Sequence, residues 1–308
     1  MTGTGGHSEV GRNRRLLLKH PREAFVDPSR IEAQWRGLRF TEPPDLVRAA
    51  REYEAILDLF GRLDIETLFL PRDDRTGLDS IYARDAAVVC DRGVILCNMG
   101  KEQRRGEPEA IGRFLSEAGL PVLGRIEGEG RLEGGDLVWI DERTVAVGEG
   151  YRTNAEGIRQ LRALLGSGIE TRSVPLPHWN GPDDVLHLMS MLSPIDRDLA
   201  LVFSRLLPVR FRMWLQERGI GLLEVPSEEY DGMACNVLAL APRRCLMLDG
   251  NPATRRLLEG AGVEVSTYEG REISRKGSGG PTCLTRPLLR DPDTGGLKPR
   301  SLPASKSP

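Results

Sequence analysis

The chain has 308 residues, with 43 lysines and arginines against 45 aspartates and glutamates, and a formal net charge of −2. Proteins that bind nucleic acid by electrostatic attraction usually carry a basic excess, so this balance argues against that class. Hydrophobic residues make up 39% of the chain, as in a folded globular protein, and no run approaches the ~18 apolar residues of a membrane helix. The polar, glycine-rich N-terminus shows no apolar signal segment, so we expect a cytoplasmic protein that binds neither nucleic acid nor membrane.

In chain order, the sequence predicts two loose ends around an ordered middle. Residues 1–12 are rich in glycine and polar groups and are predicted to form a flexible tail. Residues 291–308 offer almost nothing to bury and are predicted to be disordered. Residues 13–290 are predicted to form a single domain, which begins with a strand over residues 16–18 and continues with a helix over residues 46–63.

A pattern of strand, strand, helix and strand then recurs along the chain. Its hairpins begin near residues 86, 137, 185 and 236, which gives spacings of 51, 48 and 51 residues. A period of ~50 residues favours a propeller-like array. The first strand, the first helix and the segment after residue 270 suffice for a fifth unit that both ends of the chain would close. The alternative is an ordinary α/β sandwich in which the spacing arises by chance.

The cysteines single out one thiol. The chain has five cysteines, no CxxC pair and four histidines, so neither a disulfide framework nor a structural zinc site is expected. Cys90, Cys97 and Cys245 lie inside apolar strands and are interpreted as core residues, while Cys235 is ambiguous. Cys283 follows a glycine-rich loop, GSGGPT, and is therefore the best candidate for a reactive thiol.

Two further segments contain polar residues that are candidates for a functional site. The segment EGGD, from Glu133 to Asp136, places two acids around two glycines just before a strand, and an ordinary acidic turn is its simplest interpretation. His187 lies in the apolar run VLHLM, where a core histidine is the simplest interpretation. Beside a thiol and a carboxylate, however, this histidine would be a general acid–base, because an imidazole titrates near neutral pH.

Together, GGPTC ending at Cys283, LHL around His187 and EGGD from Glu133 resemble the guanidine-modifying enzymes, or penteins. This superfamily includes arginine deiminases, dimethylarginine dimethylaminohydrolases and amidinotransferases. The resemblance extends from about Leu16 to Arg290 and is strongest to the dimethylarginine dimethylaminohydrolases. It implies a five-bladed α/β propeller of ββαβ units with pseudo-fivefold symmetry, which agrees with the period of ~50 residues.

Carried over residue by residue, the resemblance implies a catalytic set and a substrate-binding set. The catalytic set is Cys283 as nucleophile, His187 as general acid–base and Glu133 as the partner of the histidine. The substrate-binding set is Asp79 and Asp85 of DSIYARD for the guanidinium, with Arg105 of QRRGE and Arg152 of RTN for the substrate carboxylate. Two positions depart from the family pattern: Arg84 stands where the family can carry an acid, and Met189 stands where it carries Lys or Asp.

The resemblance implies a hydrolase that acts on the guanidino carbon of arginine or a methylated arginine. A covalent thiouronium on the cysteine would be hydrolysed to citrulline or another ureido product, with release of an amine or ammonia. No metal or organic cofactor is expected. The expected partner is a small guanidino compound, and the formation of a homodimer is left open. Two alternatives stay open: an amidinotransferase, which passes the amidino group to an amine, and a non-catalytic propeller that binds a guanidino compound.

Overall fold

The protein is described by a computed structural model, which covers residues 4–182 and 184–292. Within these residues the chain forms fifteen strands and eight α-helices. The strands are β1 (Asn13–Leu18), β2 (Glu66–Phe69), β3 (Ala87–Cys90), β4 (Gly93–Leu96), β5 (Val122–Arg125), β6 (Leu137–Asp141), β7 (Thr144–Glu149), β8 (Glu170–Pro175), β9 (Leu192–Asp196), β10 (Leu199–Val202), β11 (Gly221–Glu224), β12 (Val237–Ala241), β13 (Arg244–Leu248), β14 (Glu264–Tyr268) and β15 (Arg286–Arg290). The helices are α1 (Pro21–Ala24), α2 (Pro28–Leu38), α3 (Leu46–Arg62), α4 (Glu107–Glu117), α5 (Ala155–Leu165), α6 (Val209–Glu217), α7 (Ser227–Tyr230) and α8 (Pro252–Gly260).

The strands form five three-stranded sheets that share one connectivity. In chain order the sheets are β15-β1-β2, β3-β4-β5, β6-β7-β8, β9-β10-β11 and β12-β13-β14. The central strand of each sheet is antiparallel to its first neighbour and parallel to its second. One or more helices connect the central strand to its parallel neighbour, because a parallel crossover needs a long connection. The predicted repeat of strand, strand, helix and strand is confirmed.

The fifth sheet is assembled from both ends of the described chain. Strand β15 pairs with β1 in antiparallel register, with Asn13 opposite Arg290 and Leu17 opposite Arg286. Strand β2 completes the sheet on the parallel side of β1. The prediction that the segment after residue 270 closes the array together with the first strand is therefore confirmed.

Local sequence explains why these elements form where they do. In α5, the Asn154 side chain accepts a hydrogen bond from the Gly157 N–H and so caps the helix, while Ile158, Leu161 and Leu165 face the core. Strands β3 and β4 are buried along their whole length, which explains their continuous apolar sequence. No helix among residues 4–182 and 184–292 is both long enough and apolar enough to cross a membrane.

The third hairpin begins later than predicted. Strand β9 starts at Leu192, whereas the apolar run that suggested a strand near residue 185 leads into a short 3-10 turn over Leu188–Ser190. The His187 N–H donates to Ser190 Oγ at 3.1 Å, and this bond closes the turn. His187 therefore lies at the start of a turn and not within a strand.

The prediction of a flexible tail over residues 1–12 is wrong for residues 4–12. Gly5 forms a β-bridge with Leu289, and the N–H of Gly5 donates to the carbonyl of Leu288 at 2.9 Å. Glu9 is 6% exposed because its carboxylate meets the buried guanidinium of Arg84. The sequence conceals this contact because its two partners are 75 residues apart. Of the tail predicted over residues 291–308, residues 293–308 lie outside the described residues.

Candidate active site

Each of the five sheets contributes one residue that either lines a common cavity or hydrogen-bonds to a residue that lines it. The residue comes in every case from the segment just before the strand that runs antiparallel to the central strand of its sheet. These residues are Asp85 before β3, Glu133 before β6, His187 before β9, Asn236 before β12 and Cys283 before β15. The repeated connectivity therefore brings together five positions that are about 50 residues apart in the chain.

The cavity has a volume of about 350 Å³, which suits a small ligand. Its walls combine acids, bases and the glycine-rich loop before Cys283. They are formed by Leu38, Arg39, Asp79, Tyr82, Asp85, Lys101, Arg104, Arg152, Asn180, Asp184, Val185, His187, Gly277, Ser278, Gly279 and Cys283. Six of the seven predicted site residues lie in this wall or bond directly to it, and Arg105 is the exception.

Cys283 is the one partly exposed thiol among the five cysteines, all of which fall within the described residues. Asn236 Nδ2 donates to Cys283 Sγ at 3.3 Å, and Asn236 Oδ1 accepts hydrogen bonds from the N–H and hydroxyl of Thr282 at 3.1 and 2.7 Å. Burial and the nearby Asp85 carboxylate raise the pKa of the Cys283 thiol, and the bond from Asn236 opposes this rise. A cation bound in the cavity would therefore favour the thiolate.

His187 and Glu133 form a buried hydrogen-bonded pair. His187 Nε2 donates to Glu133 Oε2 at 2.7 Å, and the two side chains are 5% and 0% exposed. Burial alone would lower the pKa of His187, but the carboxylates of Asp136, Asp85 and Glu133 raise it to about 9. Although burial opposes ionisation of Glu133, its contacts with His187 and Arg152 hold the pKa of this carboxyl well below its usual range. The pair is therefore an imidazolium beside a carboxylate at neutral pH.

Backbone contacts fix the position of this pair. Glu133 Oε1 accepts the N–H groups of Gly100 and Lys101 at 3.0 and 3.1 Å. Asp136, the second acid of EGGD, accepts the Leu188 N–H at 3.0 Å and the Thr153 hydroxyl at 2.7 Å, so it holds the turn that carries His187. Burial raises the pKa of Asp136 to about 6. Each acid of the motif thus has its own partners, and the motif is more than an acidic turn.

Gly135 lets the two halves of the site approach each other. A Cβ atom at this position would overlap His187 Nδ1 and would lie 2.8 Å from Asp85 Oδ1. Only a residue without a side chain leaves room for both groups.

Asp85 presents one free carboxylate oxygen to the cavity. Its Oδ2 accepts a hydrogen bond from Arg104 at 2.5 Å, whereas its Oδ1 is buried and has no hydrogen-bond partner among the described residues. His187 Nδ1 lies 3.8 Å from this Oδ1 atom. A buried acceptor without a partner is costly, so the oxygen marks a place where a ligand can donate a hydrogen bond.

Arg104 is the ion-pair partner of Asp85. Its guanidinium also donates two hydrogen bonds to Glu107, at 2.9 and 2.8 Å, and one to the carbonyl of Tyr82 at 2.9 Å. Burial raises the pKa of Glu107 to about 7, against the opposing influence of Arg104. Arg104 is therefore an internal counter-ion with its donors already engaged.

Asp79, the second predicted guanidinium ligand, already has a cationic partner. Lys101 Nζ lies 2.6 Å from Asp79 Oδ2 and donates to the carbonyl of Leu38 at 3.0 Å. The Lys101 and Asp79 side chains are 17% and 7% exposed. The ammonium of Lys101 thus sits in the wall where the sequence predicts a bound guanidinium.

The two arginines predicted to bind a carboxylate differ in position. Arg152 is buried in the cavity wall, and its guanidinium lies 3.2 Å from Glu133 Oε2. Arg105 has a side chain that is 61% exposed, pairs with Glu102 at 3.7 Å and does not line the cavity, so the structure does not bring it together with the other predicted site residues. The 3-10 turn over Glu102–Arg104 directs the first arginine of the pair inward and the second outward.

The two departures from the family pattern lie outside the cavity. Arg84 is 1% exposed and donates to the Thr282 carbonyl at 3.0 Å, with Glu9 at 3.4 Å on its other side. Met189 is 3% exposed and packs in the hydrophobic core around β9 and β10. Neither residue contributes to the lining of the cavity.

Asn236, Arg104 and Lys101 were missed by sequence reasoning. Asn236 could have been found from its position, because it precedes a hairpin strand just as Asp85, Glu133 and His187 precede theirs. Arg104 stands three residues before Glu107, a spacing that allows a pair along a helical turn. No local signal identifies Lys101, since its partners Leu38 and Asp79 are distant in the chain.

One cluster of potential metal ligands lies in the site. Asp85, Glu133 and His187 bring one ligand atom each within 4.8 Å of one another, and no other such group of three occurs among residues 4–182 and 184–292. Each carboxylate already has an arginine partner, Arg104 for Asp85 and Arg152 for Glu133. The cluster is therefore described better as an acid–base centre than as a cation site.

Comparisons with known proteins agree with this geometry. The model of a family described as N,N dimethylarginine dimethylhydrolase, eukaryotic, matches residues 40–290. The dimethylarginine dimethylaminohydrolase of Pseudomonas aeruginosa is 29% identical over 246 residues, which span 79% of this chain and 89% of that protein. An arginine deiminase of Listeria welshimeri is 26% identical over 251 residues, which span 68% of this chain and 61% of that protein.

A solved structure extends the likeness to three dimensions. A cysteine-to-serine variant of the Pseudomonas aeruginosa dimethylarginine dimethylaminohydrolase, complexed with citrulline, matches with a TM-score of 0.72 and 26% identity over 89% of this chain and 98% of that one. The five repeated sheets and the composite cavity thus define a protein of the pentein class, with its five-bladed α/β propeller. Within that class, the chain belongs to the dimethylarginine dimethylaminohydrolase family.

Proposed function

We propose that this protein hydrolyses the guanidino carbon of arginine or of an Nω-methylated arginine, with citrulline and ammonia or a methylamine as products. The observation that carries the proposal is the arrangement of Cys283, the His187–Glu133 pair and the unpaired Asp85 Oδ1 around one cavity. Family membership and the citrulline complex of the Pseudomonas aeruginosa relative support the same reaction.

Binding would depend on charge and on hydrogen-bond geometry. The guanidinium would donate to Asp85 Oδ1, the acceptor that lacks a partner, and so bring its central carbon over Cys283 Sγ. Arg152 would hold the substrate carboxylate at the other end of the cavity. Arg105 is left out of the proposal because its side chain is exposed outside the cavity.

The first chemical step would transfer the carbon to sulfur. The bound cation offsets the burial and the Asp85 charge that raise the pKa of Cys283, so the thiol loses its proton to solvent and the thiolate attacks the guanidino carbon. The imidazolium of His187, whose pKa is raised to about 9 by the surrounding carboxylates against the effect of burial, gives its proton to the departing amine. The C–N bond breaks, the amine leaves, and a thiouronium remains on Cys283.

The second step would restore the enzyme. Neutral His187 takes a proton from a water molecule, and the hydroxide attacks the thiouronium carbon. The C–S bond then breaks, the sulfur leaves with the bonding electrons and takes up the proton of the added hydroxyl, and the carbon departs as a neutral ureido carbonyl. Glu133 would stabilise the imidazolium that this step regenerates, as the acid does in other Cys-His-acid sites.

Assay of a substrate panel tests the proposal. Arginine, Nω-methylarginine and Nω,Nω-dimethylarginine would each be incubated with the enzyme and with a Cys283→Ser control, and ureido product and amine would be measured by mass spectrometry. Turnover of at least one compound that depends on Cys283 is expected. Absence of ureido product from the whole panel would contradict the proposal.

Two added measurements separate the alternatives. Guanidinoacetate formed from arginine and glycine would identify an amidinotransferase, because only that reaction needs an amine acceptor. A haloacetamidine probe, which carries the amidine group next to a thiol-reactive carbon, should label Cys283 in the hydrolase. A thiol that stays inert to this probe would favour a protein that only binds guanidino compounds.

A further inference from the structure

The part of the cavity wall where Asp79 and Asp85 are predicted to bind a guanidinium already contains a cation that belongs to the chain. Lys101 Nζ lies 2.6 Å from Asp79 Oδ2, and its second partner is the carbonyl of Leu38 at 3.0 Å. The side chain is 17% exposed and faces the cavity, which places the ammonium between the protein wall and the space for a ligand.

Because of this contact, Asp79 and Asp85 are not both free to bind the substrate guanidinium. Asp85 keeps one oxygen without a partner, whereas the Oδ2 atom of Asp79 is engaged by Lys101. A guanidinium that used Asp79 Oδ2 would have to replace the ammonium, because two cations at one carboxylate oxygen repel each other. The charge at Asp79 thus has two competitors, one from the substrate and one from the chain.

The backbone of Lys101 is anchored independently of its side chain. Its N–H donates to Glu133 Oε1 at 3.1 Å, next to the N–H of Gly100 at 3.0 Å. The four-carbon stem can therefore change rotamer and release Asp79 while the main chain continues to hold the catalytic pair.

We propose that Lys101 is a resident cation that exchanges with the substrate guanidinium at Asp79. The inference rests on the proposed function, since it concerns the binding of a guanidino substrate at the same site. When the guanidinium enters, the ammonium moves away from Asp79. When hydrolysis converts the guanidinium to a neutral ureido group, the carboxylate loses its cation and the ammonium returns.

This exchange discriminates between substrate and product. A ureido product has no positive charge and cannot compete with the ammonium for Asp79, so the returning Lys101 favours product release. The same competition raises the concentration of guanidino compound that the enzyme needs. Lys101 is therefore a residue that determines affinity and not a catalytic group.

Equilibrium binding in a Cys283→Ser background tests the exchange, because that variant should bind ligands without turnover. Lys101→Met keeps the length of the side chain and removes its charge. We expect the Kd for arginine or dimethylarginine, measured by calorimetry, to fall roughly tenfold, as the loss of a competing partly buried ion pair predicts. The Kd for citrulline should change less than about twofold, and Lys101→Arg should not tighten arginine binding. Arg159→Met, which removes an exposed cation remote from the cavity, is the matched control for net charge.

A second measurement uses the wild-type protein, so it does not require that a variant folds. In the wild-type sequence, the rate of reductive methylation of Lys101 should rise while the enzyme is kept saturated with dimethylarginine and should not rise with citrulline. Unchanged arginine affinity in Lys101→Met, or equal labelling in all states, would overturn the exchange. If the parent Cys283→Ser protein binds no guanidino compound at all, the proposed function fails instead, so the two failures are distinguishable.

Discussion

His187 Nε2 lies 2.7 Å from Glu133 Oε2, and both side chains are shielded from solvent. This relationship fixes the ring orientation and leaves Nδ1 on the side of Asp85, 3.8 Å from its Oδ1 atom. Because the imidazole is surrounded by three carboxylates, its charged form is favoured despite burial. The pair therefore determines both the geometry and the protonation state of the proposed acid.

Replacement of Glu133 by glutamine should shift the pH dependence of the reaction. The amide keeps the shape of the side chain but removes a charge that raises the pKa of His187, so the protonated imidazole is lost at lower pH. The alkaline limb of kcat/KM, which reports groups of the free enzyme, should move toward neutral pH. The profile would be measured with the best substrate of the panel. An alkaline limb that stays in place would show that Glu133 does not set the titration of the acid.

The stability of the fold should decline on the alkaline side of neutrality. Burial acts against the charge of His187, but the carboxylates raise its folded-state pKa to about 9, above the ~6.5 of an unfolded chain. A raised pKa contributes stability that is complete below the unfolded value and is lost as the pH rises through about 9. The contribution is on the order of 3 kcal/mol. Urea unfolding at several pH values should show the decline in the wild type and a smaller one in His187→Gln.

Thiol alkylation should label one cysteine selectively. Burial raises the pKa of Cys97, Cys235 and Cys283 alike, but Cys283 alone is partly exposed and lies at the cavity, where an alkylating reagent can reach it. Brief treatment with iodoacetamide near neutral pH should modify Cys283 and abolish turnover. Peptide mass spectrometry identifies the site, and the Cys283→Ser variant, which should stay unlabelled and inactive but folded, is the control. Equal labelling of several cysteines in the native protein would contradict the assignment.

Gly135→Ala should damage catalysis by a small change in volume. The added methyl group would overlap His187 Nδ1 and crowd Asp85 Oδ1, so the imidazole would have to move from its place. We expect kcat to fall by about 10²-fold, which is the scale of misplacing a catalytic group. Gly168→Ala, where a Cβ atom meets nothing within 4 Å, is the matched control and should retain wild-type kcat. Retained activity in both variants would mean that His187 tolerates displacement.

The contact between Glu9 and Arg84 should be strongly cooperative. Both side chains are buried, at 6% and 1% exposure, so removal of either partner breaks a buried ion pair and leaves the other charge in the interior. Glu9→Leu and Arg84→Met should each cost roughly 3–5 kcal/mol, and the double variant much less than the sum. Urea unfolding of the four proteins in the cycle measures the coupling. Additive losses would show that the ion pair itself contributes nothing.

The sequence was sufficient to predict the repeat, because hairpin strands such as β3 and β4 are buried on both faces and are continuously apolar. It was misleading near residue 185, where an equally apolar run is held in a turn by Asp136 and Ser190. The hydrogen bond from the Leu188 N–H to Asp136 favours the turn over a strand in this run. Because the two residues are about 50 positions apart in the chain, local propensity cannot reveal this contact.

Site residues that belong to local motifs could be predicted from the sequence. The prediction failed where burial decides which side chain faces the cavity. Arg104 and Arg105 are adjacent and chemically identical, and only their packing distinguishes them: Asp85 and Glu107 bind the first, and solvent surrounds the second. Glu9 was assigned to a tail because glycine-rich sequence is usually mobile, yet the buried Arg84 requires a counter-ion. Long-range charge compensation of this kind leaves no periodic trace in the sequence.

Because β1 pairs with β15, the sheets would keep their order in space if the N- and C-termini lay in a different loop. A circular permutant, in which a short linker joins residue 292 to residue 4 and new termini open at the exposed Ser167–Gly168 turn, would keep every strand pair of the ring. What holds the ring closed is a non-covalent seam between distant segments. Loosening that seam would release β15 from β1 and so displace Cys283, which lies just before β15, from the other four site residues.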